Sequence, residues 1–215
     1  MSPNRWSAIL SVATMAAILT LGAGTAANAA VASPPADDVS VADSNEAAID
    51  ATLATIDDPA QQASVRAWME KSTADGSEII TAQAGDYQSS GSEGAAQRAY
   101  PSGCGLYVLI LRNGQKITND TLTSCVSGPY QFLTHQMRVT AYHGVLGTPN
   151  EVTGVRTYNY GGGSSQSQQL SWTCPNHNQT SFRAISLGVM AKNGQEYTTP
   201  TVYDTFDQGN IDCGW

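Results

Sequence analysis

Lysine and arginine are scarce in this chain, 10 of 215 residues against 18 aspartates and glutamates. With a formal charge of −8 and no basic run, nucleic acid and anionic membrane are poor partners, because both require a positive patch. Histidine is scarcer still: His135, His143 and His177 are the whole set. There is no H-E-x-x-H, G-x-S-x-G or G-x-x-x-x-G-K-[ST] string, so no ready-made zinc-peptidase site, nucleophile elbow or phosphate loop is present. Neither C-x-x-C nor H-x-x-x-H spacing occurs, and no metal or cofactor is expected. Beyond the first 29 residues no stretch stays apolar for the ~20 positions a bilayer helix needs.

Those first 29 residues read as an export signal. Arg5 lies in a short polar start, an apolar run follows from about Ala8 to Leu21, and Ala27-Asn28-Ala29 forms an A-x-A peptidase site. The expected mature protein begins near Ala30, is secreted, and is a monomer. Export places the chain in an oxidising compartment, so Cys104, Cys125, Cys174 and Cys213 read as two disulfides. Sequential pairing, Cys104 with Cys125 and Cys174 with Cys213, brackets one hairpin signal per bridge.

Charge divides the remainder into two parts. Residues 30–99 hold twelve acids against three bases, whereas residues 100–215 hold six of each. The acidic part starts with a Pro-containing stretch that reads as disordered up to about Asp43. A first short helix is expected around Ile49, Leu53 and Ile56, with Ser44 and Asn45 as candidate caps. A second follows Asp58-Pro59, with Gln61 in capping-box position and Val65, Trp68 and Met69 on one face. Helices this short need a surface to pack on. They dock on the β domain or on each other, or serve as a spacer, propeptide or partner-binding arm. Residues 85–102, rich in Gly and Ser, read as a linker.

From residue 100 the chain is rich in Thr, Tyr and Val, with frequent turn residues. Leu106–Leu111 is continuously apolar and reads as a strand buried on both faces. Arg112-Asn113-Gly114-Gln115 and Lys192-Asn193-Gly194-Gln195 are Asn-Gly hairpin signals. Leu133, Met137, Val139 and Ala141 alternate with polar neighbours. Val152–Tyr160 and Gln168–Cys174 read as a pair joined across Gly161–Ser165. Phe182–Ala191 and a return strand through Tyr197 and Tyr203 form the last pair, with Pro200 marking an edge or bulge. Seven or eight strands without helical periodicity predict an antiparallel β-sandwich, immunoglobulin-like or related.

Chemistry is thin on this scaffold. In the register of the Leu133 strand, His135 and His143 fall on the apolar face and suit a hydrogen-bonded core histidine better than a general base. Acids between Asp204 and Asp212 surround Gly209, but their spacing lacks the EF-hand pattern, leaving at most a weak calcium site. Tyr158, Tyr160, Trp172, Tyr197 and Tyr203 are candidates for a binding platform, with His177 in a polar turn beside Cys174. The expected function is a secreted, non-catalytic β module binding a protein or carbohydrate. The alternatives are an inhibitor presenting Pro175–Thr180 as an exposed loop, and a small hydrolase using His135 or His143.

Overall fold

The protein is described here from a computed structural model that covers residues 39–85, 100–101, 103–143, 148–199, 202–205 and 211–214. Side chains at positions 84, 85, 143, 148, 149 and 202–205 lie outside that description. So do the export signal with its Ala29/Ala30 junction, residues 86–99, Pro200 and Phe206–Asn210. The described residues belong to one unit, Val39–Trp215.

That unit has three layers: two helices, a four-stranded sheet and a second sheet. The first sheet runs β1(Glu78–Gly85), β2(Cys104–Asn113), β3(Lys116–Cys125), β7(Ser165–Thr173), all antiparallel neighbours. The second is built on β4(Phe132–His143) and the 17-residue β8(Asn176–Lys192). β5(Thr148–Glu151) and β6(Arg156–Tyr160) share the far side of β4. β9(Gln195–Thr198), β10(Val202–Thr205) and β11(Ile211–Gly214) share the far side of β8. An antiparallel sandwich is therefore the architecture, as the strand periodicity predicts.

β2 explains how three layers hold together. Leu106, Val108 and Ile110 point into the sandwich, while Tyr107, Leu109 and Leu111 point to the helices, and all six are buried. Each Leu, Ile or Val so placed contributes roughly 1.5–3 kcal/mol of transfer free energy. The outer row meets Ile49 and Leu53 of α1(Val41–Leu53) and Val65, Trp68 and Met69 of α2(Pro59–Thr73). The acidic segment thus docks on the β scaffold, and the surface that short helices require is the outer face of β1–β3.

Several local expectations shift. α1 begins at Val41 with Ser40 as N-cap, ahead of the candidate caps Ser44 and Asn45 by four and five residues. Asn45 is buried and works across layers instead, donating to Ser77 C=O and accepting from Ile79 N–H, both at 2.8 Å. α2 starts as expected, Asp58 accepting from the N–H groups of Ala60 and Gln61. Gln61 does not close the capping box; its amide donates to Ser124 C=O in β3. Lys192↔Gln195 frames Asn193-Gly194 at φ 53° and 73°, an Asn-Gly turn. In the other hairpin Asn113↔Lys116 pair, so the two loop residues are Gly114 and Gln115.

The expected pairing of Val152–Tyr160 with Gln168–Cys174 is corrected. β6 ladders with β4 in one sheet and β7 with β3 in the other, so Gly161–Ser164 crosses between layers. Gly163 makes that crossing tractable through reciprocal backbone bonds with Tyr130. The return strand after Gly194 is split into β9 and β10, both on β8. Cys104 meets Cys125 and Cys174 meets Cys213 as disulfide pairs, the sequential arrangement, with Cα separations of 4.0 and 5.2 Å. They suit an oxidising environment. Among the described residues no helix is long and apolar enough to cross a membrane.

Candidate functional site

The inward face of β3 carries Asn119, Thr121 and Thr123, all fully buried, opposite His135 of β4 and Ser186 of β8. Polar groups survive at such burial only when hydrogen-bonded, and these form two linked sets. Ser186 Oγ lies 2.7 Å from Thr121 Oγ1, and Asn119 Nδ2 donates to the carbonyls of Arg138 and Ile185. His135 Nε2 lies 2.8 Å from Thr123 Oγ1, which in turn lies 3.2 Å from the Tyr100 hydroxyl. On the other ring nitrogen, Nδ1 is 3.4 Å from the Tyr160 hydroxyl, which donates to Gln168 Oε1. A neutral imidazole protonated at Nδ1 satisfies every link. Tyr100 donates to Thr123, Thr123 to His135, His135 to Tyr160, and Tyr160 to Gln168.

Desolvation holds His135 in that neutral form, pushing its pKa down to about 4. Burial also pushes the Tyr160 phenol up, with Tyr158 and Asp120 adding to the effect. A ring enclosed at 0% exposure, with both nitrogens engaged by side chains, has neither path nor spare lone pair for a substrate. The chain is a bolt across the two sheets; the His143 side chain lies outside the described residues.

A second buried polar centre lies on the opposite face of β3. Asp120, 1% exposed, accepts from Trp68 Nε1 at 2.9 Å, Ser72 Oγ at 2.6 Å and Gln169 Nε2 at 2.7 Å. Burial pushes its carboxyl up, opposed by hydrogen bonds from Ser72, Gln169 and Trp68. Its donors come from α2 and β7, so one carboxyl joins the helical layer to the edge of the sheet. Nothing in the spacing of Trp68, Ser72 and Asp120 announces this; an acidic residue at a helix-facing position in the middle of β3 is the available signal.

The aromatic candidates are dispersed. Tyr158 and Tyr160 sit on β6, with Tyr160 edge-on to His135 at 5.2 Å. Trp172, on β7, packs against Phe182 at 5.7 Å, and Tyr197 stands edge-on to Tyr130 at 6.4 Å. Tyr203 is described only by its backbone pairing with Ile185. Tyr160, Trp172 and Tyr197 are half-buried against the core. His177 is 73% exposed at the side chain and its Nδ1 lies 3.2 Å from the Asp212 carboxylate. The Pro175–Thr180 segment is no loop: from Asn176 it is strand β8, paired with β11 through Thr180↔Ile211 and Gln179↔Asp212. Of the Asp204–Asp212 acids, Asp207 lies outside the described residues, and among those described no cluster of three metal-ligating side chains occurs.

The two outer faces of the sandwich differ. Helices cover one; on the other, over β4 and β8, no described element packs. Gln136, Arg138, Ile185 and Leu187 there line a hollow of about 150 Å³ with Val155 at its rim. Val155 is 56% exposed and Phe132, further along β4, 36%. Arg138 pairs with Glu151, and the Arg183 guanidinium lies 5.2 Å from the centre of the Tyr142 ring. The result is an apolar strip edged by arginines on a chain of net negative charge.

No family model and no curated protein matches the chain. Among solved structures, two crystal forms of wild-type OgpA from Akkermansia muciniphila are similar at 16% identity and a TM-score of 0.27. The alignments cover 58% of this chain and 32% and 33% of that protein, so the chain spans about a third of its length.

Proposed function

We propose that the chain is a secreted, non-catalytic β-sandwich module that binds a protein partner outside the cell through the open face of β4 and β8. The observation that carries this reading is the contrast between a helix-covered face and an open one bearing Phe132, Val155 and Leu187 among polar neighbours. Apolar centres rimmed by Arg and polar residues are the anatomy of protein interfaces. Carbohydrate binding is less well supported, since the rings that would stack on sugars are dispersed and engaged in the core. The inhibitor alternative loses its exposed loop at Pro175–Thr180, and a hydrolase loses His135 to enclosure.

The test is quantitative capture from the native extracellular fraction on immobilised mature protein, alongside a printed glycan array. One retained protein species, released at least about tenfold more readily by Leu187→Asp and unaffected by Gln62→Glu on the helical layer, supports the reading. Glycan binding that survives Leu187→Asp, or capture indifferent to that substitution, overturns it.

A further inference from the structure

β7 ladders with β3 on one side, and among the described residues no strand pairs with its other side. Its register reveals which backbone groups face outward. Cys125 N–H donates to Ser164 C=O and Cys174 N–H to Gln115 C=O, each at 2.8 Å. Both pairs continue the β3–β7 register, so even-numbered residues of β7 bond to β3. Ser165, Ser167, Gln169, Ser171 and Thr173 therefore aim N–H and C=O away from the sheet, and all five are exposed.

A free edge is a template for another strand, and proteins ordinarily blunt it with charge or proline. Among the described residues every other edge segment follows that rule, carrying Glu78 on β1, Glu151 on β5, Arg156 on β6, Glu196 on β9, Asp204 on β10 and Asp212 on β11. β7 reads Ser-Gln-Ser-Gln-Gln-Leu-Ser-Trp-Thr, nine residues with neither charge nor proline.

We propose that this edge pairs with β7 of a second copy, antiparallel about a two-fold axis through Gln169. The register then follows from symmetry: Ser165 faces Thr173, Ser167 faces Ser171, and Gln169 faces its own counterpart. Each is an outward-bonding pair that exchanges two backbone hydrogen bonds. The uncharged rows let two chains of net charge −8 meet without like charges across the seam. The helices leave room. α2 lies over β3, so two α2 helices stand three strand spacings apart, about 14 Å, beyond the 8–10 Å of packed helices. This goes beyond the binding reading: the axis stands perpendicular to the sheets, so both open β4–β8 faces point the same way and binding is bivalent.

The experiment is sedimentation velocity on the full mature chain over roughly 1–100 μM, with residue-resolved hydrogen exchange at both ends of the range. The expected result is a concentration-dependent dimer in which amides of Ser167, Gln169 and Ser171 become protected at high concentration. Those of Gln166, Gln168 and Leu170 are protected throughout. Ser167→Pro removes an outward N–H where proline is tolerated and should leave a folded monomer, while Ser167→Ala should dimerise normally. A wild type that stays monomeric, or a dimer whose odd-numbered β7 amides still exchange fast, overturns the proposal.

Discussion

Removing the Asp120 carboxyl isolates the bolt between helices and sheet. In Asp120→Ala, Gln169 is exposed and turns to water, and Ser72 Oγ rebonds to Trp68 C=O, already 2.9 Å away. The indole N–H of Trp68, a residue 6% exposed, is left without its acceptor. An orphaned buried donor costs ~1–3 kcal/mol, so a loss of about 2 kcal/mol is expected. Asp120→Asn keeps an acceptor for Trp68 and offers an N–H to Ser72, so its loss at pH 7 should stay below about 1 kcal/mol. The pH dependence separates the two further. Because burial raises the folded-state pKa of Asp120, its protonation stabilises the fold below the unfolded value and that contribution fades as pH rises through the folded one. The deficit of Asp120→Asn relative to wild type should therefore widen on acidification toward pH 4. Urea unfolding followed by Trp fluorescence and far-UV circular dichroism from pH 4 to 8 measures both effects. An alanine variant within about 0.5 kcal/mol of wild type, or an asparagine variant as costly as alanine, refutes the reasoning.

Other consequences are equally direct. His135 titrates near 6.5 when unfolded and about 4 when folded, so the unfolded state binds the extra proton and stability is lost as pH is lowered across that window. Wild type should lose about 2 kcal/mol more than His135→Gln between pH 7 and pH 5, read by urea midpoints; parallel slopes would contradict a sealed neutral ring. Replacing each cysteine pair by serine opens sequence separations of 21 and 39 residues. Loop-closure entropy gives losses of about 3 and about 4 kcal/mol, checked by thermal unfolding with and without reductant. A Cβ at Gly188 would run into the Tyr100 hydroxyl. Gly188→Ala should cost about 1–3 kcal/mol, and Gly188→Ala with Tyr100→Phe should recover part of that loss.

What was legible in the sequence follows the strength of the local signal. β2 was readable because six successive apolar residues admit no other placement than between two layers. β4 was readable from strict alternation, and Asp58-Pro59 from the fixed φ of proline and a carboxylate that caps. β8 was readable only as a strand, because its apolar row of Ile185, Leu187 and Val189 lies outside while Phe182, Ala184 and Met190 enter the core. The β6–β7 pairing was misread because a glycine-rich connection looks alike whether it closes a hairpin or crosses between sheets. Asn45 was misassigned as a cap because its amide can serve a helix start or a distant strand, and only the fold brings Ser77 and Ile79 to it. The His135 chain and the Asp120 centre were invisible for the same reason, their partners lying up to 52 residues apart. The scattered tyrosines show the limit of counting residue types: one strand face is shared by period, but a platform requires strands whose adjacency the sequence does not encode locally.

The open β4–β8 face is the proposed place where the protein engages its partner. The most direct measurement places a photo-crosslinking side chain at Gln136 or Leu187 on that face, and at Ala60 or Gln62 on the helical layer, in the mature protein exposed to its native extracellular fraction. Adducts of one common mass from positions 136 and 187, displaced by excess unlabelled protein and absent from 60 and 62, are predicted. Adducts of equal yield from all four positions, or from 62 alone, would contradict it.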